Sequence, residues 1–378
     1  MRPPGILKDM TEKLLSEITT AQVGGPARTY IRATTEAEIV EAVSSADAAN
    51  EPVLIVGGGS NLLVSDAGFD GTVVHIASTG VEELPIPACG GANVRVQAGT
   101  VWDDFVQLSI EKEWSGPAAL SGIPGTVGAT PVQNVGAYGV EVGEFIASVR
   151  TWDRETGKFK TFANADLRFG YRDSILKQNL VNGSPRYVVL TVDFQFTLGS
   201  LSSPIKYGEL AKSLGVQVGK RAESALVRDK VLALRASKGM VLDASDRDTF
   251  STGSFFTNPI VPVSVLDSLP EDAPRFPVVT RTGVFGTEQQ ESEEYMKLSA
   301  AWLIQHAGFE KGFGLEGDAR EIAGGRASLS TKHTLAITNR GDATAEDIFA
   351  IARAVRAGVA EKFGVELVPE PVVVNGKI

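Results

Sequence analysis

Two side-chain-poor stretches stand where main chain could grip a phosphate or a flat ring. The first, Gly57-Gly58-Gly59-Ser60-Asn61, follows a β-branched run at residues 53–56. The second runs from residue 121 to residue 139 and reads SGIPGTVGATPVQNVGAYG. Backbone N–H groups on such loops approach a ligand closely, because no bulky side chain obstructs them. Two of them in one chain suggest a single large nucleotide cofactor held at two places, and so a redox enzyme. The first loop is no Walker A loop, since no Gly-Lys-Ser/Thr follows. It also misses the dinucleotide fingerprint, because Leu62 stands where the third glycine belongs. By itself it serves a tight strand-to-strand turn as well as a ligand loop. The second is richer. Pro124 fixes φ, Gly125 and Gly128 permit close approach, and Gln133 and Asn134 bring amides able to bond the donors and acceptors of a heterocycle.

Other chemistries find little support. His75, His306 and His333 share no metal-ligand spacing, and with one cysteine, Cys89, neither a zinc site nor an intrachain disulfide is expected. Cys89 lies in the loop-like PIPACGGA and reads as a spare thiol in a reducing, cytoplasmic setting. The formal net charge of −10, with no Lys/Arg-rich run, argues against a nucleic-acid or membrane-surface partner. The N-terminus lacks an apolar core of signal-peptide length, and no apolar run reaches the ~20 residues of a membrane span. Glycine is frequent, 40 of 378 residues, but not periodic, which excludes collagen-like and low-complexity readings. A chain of 378 residues has material for two or three domains.

The elements that must position the loops follow from periodicity. Strands are expected at residues 29–31, 53–56, 72–76 and 93–98. Thr35 and Glu38 form a capping box that starts a helix over 35–50, striped by Ile39, Val40, Val43 and Ala46. Residues 102–114 are amphipathic through Trp102, Phe105, Val106 and Ile110, and Gly116 ends them. Strands follow at 146–153, 158–162 and 187–198, then a Gly/Ser/Pro loop at 199–204 and a helix over 222–238. A boundary is expected near 238–251. Beyond it, residues 292–306 read as helical, and Thr344 with Asp347 caps a long last helix ended by Gly364. The mixture predicts α+β layers.

The pairing of VGGGSNLLV with SGIPGTVGATPVQNVGAYG resembles the UDP-N-acetylenolpyruvoylglucosamine reductase (MurB) family of bacterial cell-wall synthesis. FGYRDSIL, IKYGEL, GSFFTNPIV, SAAWLI and LVPEP follow in the family's order, after the early AQVGGPARTY. The likeness spans roughly residues 20–374. It implies an FAD-binding fold of the vanillyl-alcohol-oxidase (PCMH) type in two subdomains, plus a C-terminal α+β substrate domain. The divisions expected are 1–70, completed by 366–378; 71–233, with a lid loop; and 234–367. It implies that noncovalent FAD lies on Gly57, Gly58, Gly59, Ser60 and Asn61. It also implies that Ser121, Gly122, Ile123, Pro124, Gly125, Gly128, Ala129, Gln133, Asn134, Ala137 and Tyr138 line the diphosphate and flavin.

The resemblance further implies two half-reactions. NADPH reduces FAD, and reduced flavin passes hydride to C3 of an enolpyruvyl ether on UDP-N-acetylglucosamine. Negative charge then spreads from C2 into the neighbouring carboxylate, so the site needs a clamp on that carboxylate and an acid at C2. Arg172 matches the clamping arginine, Glu370 the family's glutamate and Ser254 the proton donor. The family usually reads Glu-Pro-Glu-Val around that glutamate; this chain has Val368-Pro369-Glu370-Pro371. Tyr207 matches the tyrosine of the lid-bearing branch, and Lys238, Asn258 and Arg235 match residues near the substrate. His333 is expected at the rim, Trp302 and Phe309 in the core, and the protein as a monomer. Two rivals remain: another FAD oxidase of sugars or alcohols on the same fold, and a non-catalytic nucleotide-binding module.

Overall fold

The computed structural model describes residues 13–85, 91–282 and 288–378. Cys89 lies outside them. Ala27–Ala33 and Val53–Val56 both pair in parallel with Phe69–Ile76 between them. The helix Glu36–Ala48 crosses between the first two, started by the expected box: Thr35 accepts from the Glu38 backbone, and the Glu38 side chain returns the bond. A parallel sheet puts the carboxyl ends of its strands on one edge, and the first glycine loop leaves from that edge.

A second, antiparallel sheet orders Lys158–Ala163, Ile146–Asp153, Tyr187–Leu198, Ala92–Gln97 and Val81–Leu84. Its inner face meets the helix Trp102–Glu111 through Phe105, whose ring lies 4.9 Å from Phe194. That helix ends before its expected limit. Glu113 turns to φ +55° and Trp114–Ser115 pairs with Thr197 and Leu198 at the end of Tyr187–Leu198.

The C-terminal part packs the helix Ala345–Phe363 against the hairpin of Ala327–Leu329 and Ile337–Asn339. Residues 292–306 depart from the helical expectation. Glu288–Leu298 is a strand between Arg275–Thr282 and Ile260–Pro262, and only Ala300–His306 is helical. The polar run Glu291–Glu294 offers no apolar stripe for a helix to bury, and Ser299 caps the shorter helix by accepting from Trp302 N.

The ends of the chain tie the units together. Val372–Val374 pairs in parallel with Leu62–Val64, directly after the first glycine loop. Ala21, Val23 and Leu63 pack in the same core as Phe255, Ile348 and Val355. Asp66 accepts from Ala345 N at 2.8 Å and Glu346 N at 3.2 Å, at the start of the last long helix. Among the described residues, no helix is long and apolar enough to cross a membrane.

Candidate active site

The two glycine loops lie against each other. Ser60 Oγ donates to Pro124 O at 3.0 Å. A Cβ on Gly58 would stand 2.7 Å from Gly125 Cα, so only glycine permits this approach. Gly59 turns at φ +62°, and a Cβ there would meet Ile18 O at 1.9 Å. The second loop is pinned from below. Gly125 O accepts from Trp102 N at 3.0 Å, and Gly122 N donates to Asp103 Oδ1 at 2.6 Å. Arg228 holds both Asp103 oxygens at 2.7 and 2.8 Å. Gly58, Pro124 and Ala129 are exposed, while Ile123 is half-buried beside them. This side-chain-poor, partly exposed cradle fits the diphosphate of a nucleotide cofactor.

Several residues expected at the cofactor turn inward. Ser121 is fully buried and donates to Ala118 O at 2.7 Å. Gly128 is buried and donates its N–H to Ala98 O. Asn134 is buried as well: its Nδ2 donates to Glu141 Oε2 at 3.0 Å and Gly170 O at 3.1 Å, and its Oδ1 accepts from Gly143 N at 3.0 Å. Its side chain therefore holds the loop and presents no amide to a ligand. Ala137 pairs with Val140 in a two-residue hairpin.

Arg172 and Glu370, 198 positions apart, meet on one side of this cradle. Arg172 Nε donates to Glu370 Oε1 at 2.9 Å, and Nη2 donates to Gly136 O at 3.0 Å. The side chains keep 21% and 12% of their surface, so the pair is largely withdrawn from water. Arg172 adopts φ +54°, unusual for a residue with a Cβ, and Lys177 Nζ holds its carbonyl at 2.9 Å. Ser254 is half-buried and reaches the same neighbourhood through main chain. The next residue, Phe255, accepts from Glu370 N at 2.8 Å, and Phe256 bridges to Pro369. The segment carrying the serine and the segment carrying the glutamate are thus tied to each other through main chain.

Asn258 sits beyond Ser254. Its backbone N–H donates to Tyr171 OH at 3.3 Å and its Oδ1 accepts from Ala300 N at 3.0 Å, so part of the amide caps a helix. Tyr207 precedes the short helix Gly208–Leu214, is 46% exposed, and meets the Tyr138 ring edge-on at 5.7 Å. Lys238 Nζ donates to Glu209 Oε2 of that helix at 2.7 Å. Arg235 donates to Met240 O at 2.9 Å, with its Nε buried and unpartnered; burial lowers its guanidinium from the ordinary range. Burial, with Lys238 and Lys311 nearby, pushes the His333 imidazole down to about 4.

The sequence reading missed Lys297. Its ammonium lies 4.6 Å from the centre of the Tyr171 ring, and burial, reinforced by Arg172 and opposed by Glu141, lowers it from the usual lysine value. A single Lys in a strand carries no motif, so only the cross-strand register brings it to notice. The Glu209 contact with Lys238 was equally unreadable, since it joins residues 29 positions apart.

Comparison with known proteins adds an independent line. Residues 27–163 match the FAD binding domain, and residues 245–374 match the C-terminal domain of UDP-N-acetylenolpyruvoylglucosamine reductase. The chain is 52% identical over 357 residues to the UDP-N-acetylenolpyruvoylglucosamine reductase of Cutibacterium acnes, covering 94% of this chain and 88% of that one. It is 48% identical over 365 residues to the protein of that description from Nocardia farcinica, covering 96% and 89%. The crystal structure of UDP-N-acetylenolpyruvylglucosamine reductase (MurB) from Thermus caldophilus superimposes with a TM-score of 0.59 at 24% identity, covering 96% of this chain and 98% of that one, which is a likeness of fold.

Proposed function

The chain belongs to the UDP-N-acetylenolpyruvoylglucosamine reductase family, and from that premise we propose how its residues perform the reaction. It is an FAD-dependent NADPH oxidoreductase that converts UDP-N-acetylglucosamine enolpyruvate to UDP-N-acetylmuramate for peptidoglycan synthesis. The observation that carries the reading is the Arg172–Glu370 pair, joined by main chain to Ser254 and set beside two interlocked glycine loops.

Residues 13–76, which end with the strand Phe69–Ile76 and so pass the expected limit at 70, form one cofactor subdomain with the C-terminal strand Val372–Val374; residues 77–233 form the other, and 234–367 cover the substrate. The backbone of Gly57, Gly58, Gly59 and Ser60 and of Gly122, Ile123, Pro124, Gly125 and Ala129 would hold FAD, with Tyr138 beside it. When bound, FAD supplies the hydride, drawn from NADPH, that adds to C3 of the enol ether.

Arg172 commits two of its five donors to Glu370 and Gly136, and turns the others to the substrate carboxylate. Negative charge arriving on that carboxylate is met by a guanidinium already fixed in place, so little reorganisation accompanies the step. Ser254 hands a proton to C2, completing the addition of one hydride and one proton across the double bond, and regains its own through solvent. Glu370 holds the guanidinium and lines the same wall. Lys238 and Lys297 offer point charges to the sugar nucleotide, Asn258 and Arg235 border it, and Tyr207 closes above it. The protein works as a cytoplasmic monomer, with no nucleic-acid or membrane partner.

Colour is the simplest test. The purified protein is expected to be yellow, to release FAD on denaturation, to bleach with NADPH, and to regain colour on adding the enolpyruvyl sugar nucleotide. Bleached protein that regains colour only with oxygen would favour an oxidase of the same fold.

A further inference from the structure

We infer that Gln133 and Asn61 are positioning residues for Glu370, forming a directed hydrogen-bond chain from the first glycine loop to the carboxyl. Both were expected to face the cofactor, yet their amides face each other. Asn61 Nδ2 donates to Gln133 Oε1 at 3.1 Å and to the Glu370 main-chain oxygen at 3.3 Å. Gln133 Nε2 then donates to Glu370 Oε1 at 3.2 Å.

The orientation of each amide is forced. A main-chain carbonyl only accepts, so the nitrogen of Asn61 must face it. That nitrogen requires the oxygen of Gln133, which leaves the nitrogen of Gln133 for the carboxylate. Flipping either amide places two acceptors, or two donors, against each other. The chain is therefore polar in one direction and ends on Oε1, the atom that also accepts from Arg172 Nε. With two donors on one oxygen, the carboxyl plane is fixed and Oε2 is presented away from them.

The chain is also anchored at both ends. Asn61 is the last residue of the first glycine loop, and its carbonyl accepts from Val372 N at 2.9 Å, two residues beyond Glu370. Gln133 lies between Val132, whose carbonyl accepts from Ser174 Oγ at 2.6 Å, and the buried Asn134. Neither backbone can shift to follow a displaced carboxyl. The loop that cradles the cofactor thus sets the geometry of the residue beside the substrate.

The inference rests on Glu370 acting at the substrate, and its test separates the two ideas. In the FAD-loaded enzyme, flavin reduction by NADPH and reoxidation by the enolpyruvyl sugar nucleotide are followed separately by stopped flow. Gln133→Ala and the near-isosteric Gln133→Met are each expected to slow reoxidation by about 10–100-fold, as misplacement near a reacting centre does. Reduction by NADPH, the flavin absorption spectrum and FAD affinity should stay within about twofold. Combined with Glu370→Gln, either change should add less than about twofold, because residues that act through one another are not additive. A shifted flavin spectrum or weakened FAD affinity would make the amide a cofactor ligand and overturn the inference. So would rate effects that multiply fully in the double variant. A wild-type enzyme whose bleached flavin ignores the sugar nucleotide would instead sink the assigned reaction, and the inference with it.

Discussion

Glu209 Oε2 lies 2.7 Å from Lys238 Nζ, so the carboxylate of the short helix Gly208–Leu214 takes one of the three donors of the ammonium proposed to meet the sugar nucleotide. Both side chains are partly exposed, at 42% and 32%. A diphosphate arriving at Lys238 would compete with that carboxylate for the ammonium. The same helix carries Tyr207 on its N-terminal flank, against Tyr138.

Glu209→Gln removes the competing charge. Exposed pairs of this kind contribute about 0.2–1 kcal/mol, so the KM for the sugar nucleotide should fall by roughly 1.4- to 5-fold. The fall should shrink as salt is raised. Steady-state kinetics at two ionic strengths checks both, and an unchanged or higher KM would show that Glu209 does not compete.

Gly58→Ala places a methyl 2.7 Å from Gly125 Cα, and the nearest atoms around it are all Gly125 backbone, which cannot yield cheaply. We expect the protein to fold with a normal far-ultraviolet circular dichroism spectrum while binding FAD at least about tenfold more weakly, a loss of about 1.4 kcal/mol. Flavin content after dialysis and fluorescence titration with FAD measure it. Full retention of flavin would contradict the cradle.

Ser254→Ala should leave flavin reduction by NADPH near normal and slow the oxidative half-reaction by about 10²–10⁴-fold, the usual range for a lost proton donor. Equal slowing of both half-reactions would rule out the proton-transfer role.

Arg172→Lys keeps the charge but loses the planar fork, and with it the bonds to Glu370 and Gly136. The kcat/KM should drop by about 10²–10³-fold, as for loss of one fixed donor at a developing charge. Flavin reduction by NADPH should be spared. Retention of full activity would mean that a point charge suffices there.

Acid stability should carry the mark of His333. Its value in the folded protein, about 4, lies below the ordinary 6.5 because the ring is buried beside two lysines. The unfolded chain binds the proton more tightly, so this contribution is full above about pH 6.5 and is lost as pH falls through 4. The span corresponds to about 3 kcal/mol. Asp153, lowered to about 2 chiefly by its hydrogen bonds from Arg186, acts below that window, between 3.8 and 2. Urea unfolding at pH 7 and pH 4.5 should therefore show a smaller acid loss in His333→Gln than in the wild type. Equal losses would place the acid sensitivity elsewhere.

Local rules were legible wherever the cause was local. The boxes at Thr35 and Thr344 start the helices where hydroxyl and carboxyl stand three apart, and the alternation read over residues 188–196 falls on the strand Tyr187–Leu198, although its first six residues are all buried and only its second half alternates. The stretch 292–306 was misread because apolar residues near its end masked a polar beginning, and the strand there exists only because Arg275–Thr282 and Ile260–Pro262 pair with it.

The sequence by itself determined which groups were present: two glycine loops, an arginine in Tyr171-Arg172-Asp173, a serine after Gly253, and a glutamate between prolines. Spacing along the chain sets φ, caps and short-range bonds, so those features could be read directly. Tertiary structure alone decided how they are used. It turned Asn134 inward, aimed Asn61 and Gln133 at Glu370, and brought Lys297 over Tyr171. Each of these depends on hydrogen-bond partners, or on a cross-strand register, supplied by other segments of the chain. The direction of an amide or an ammonium is fixed by the neighbours it meets, and no residue type encodes those neighbours.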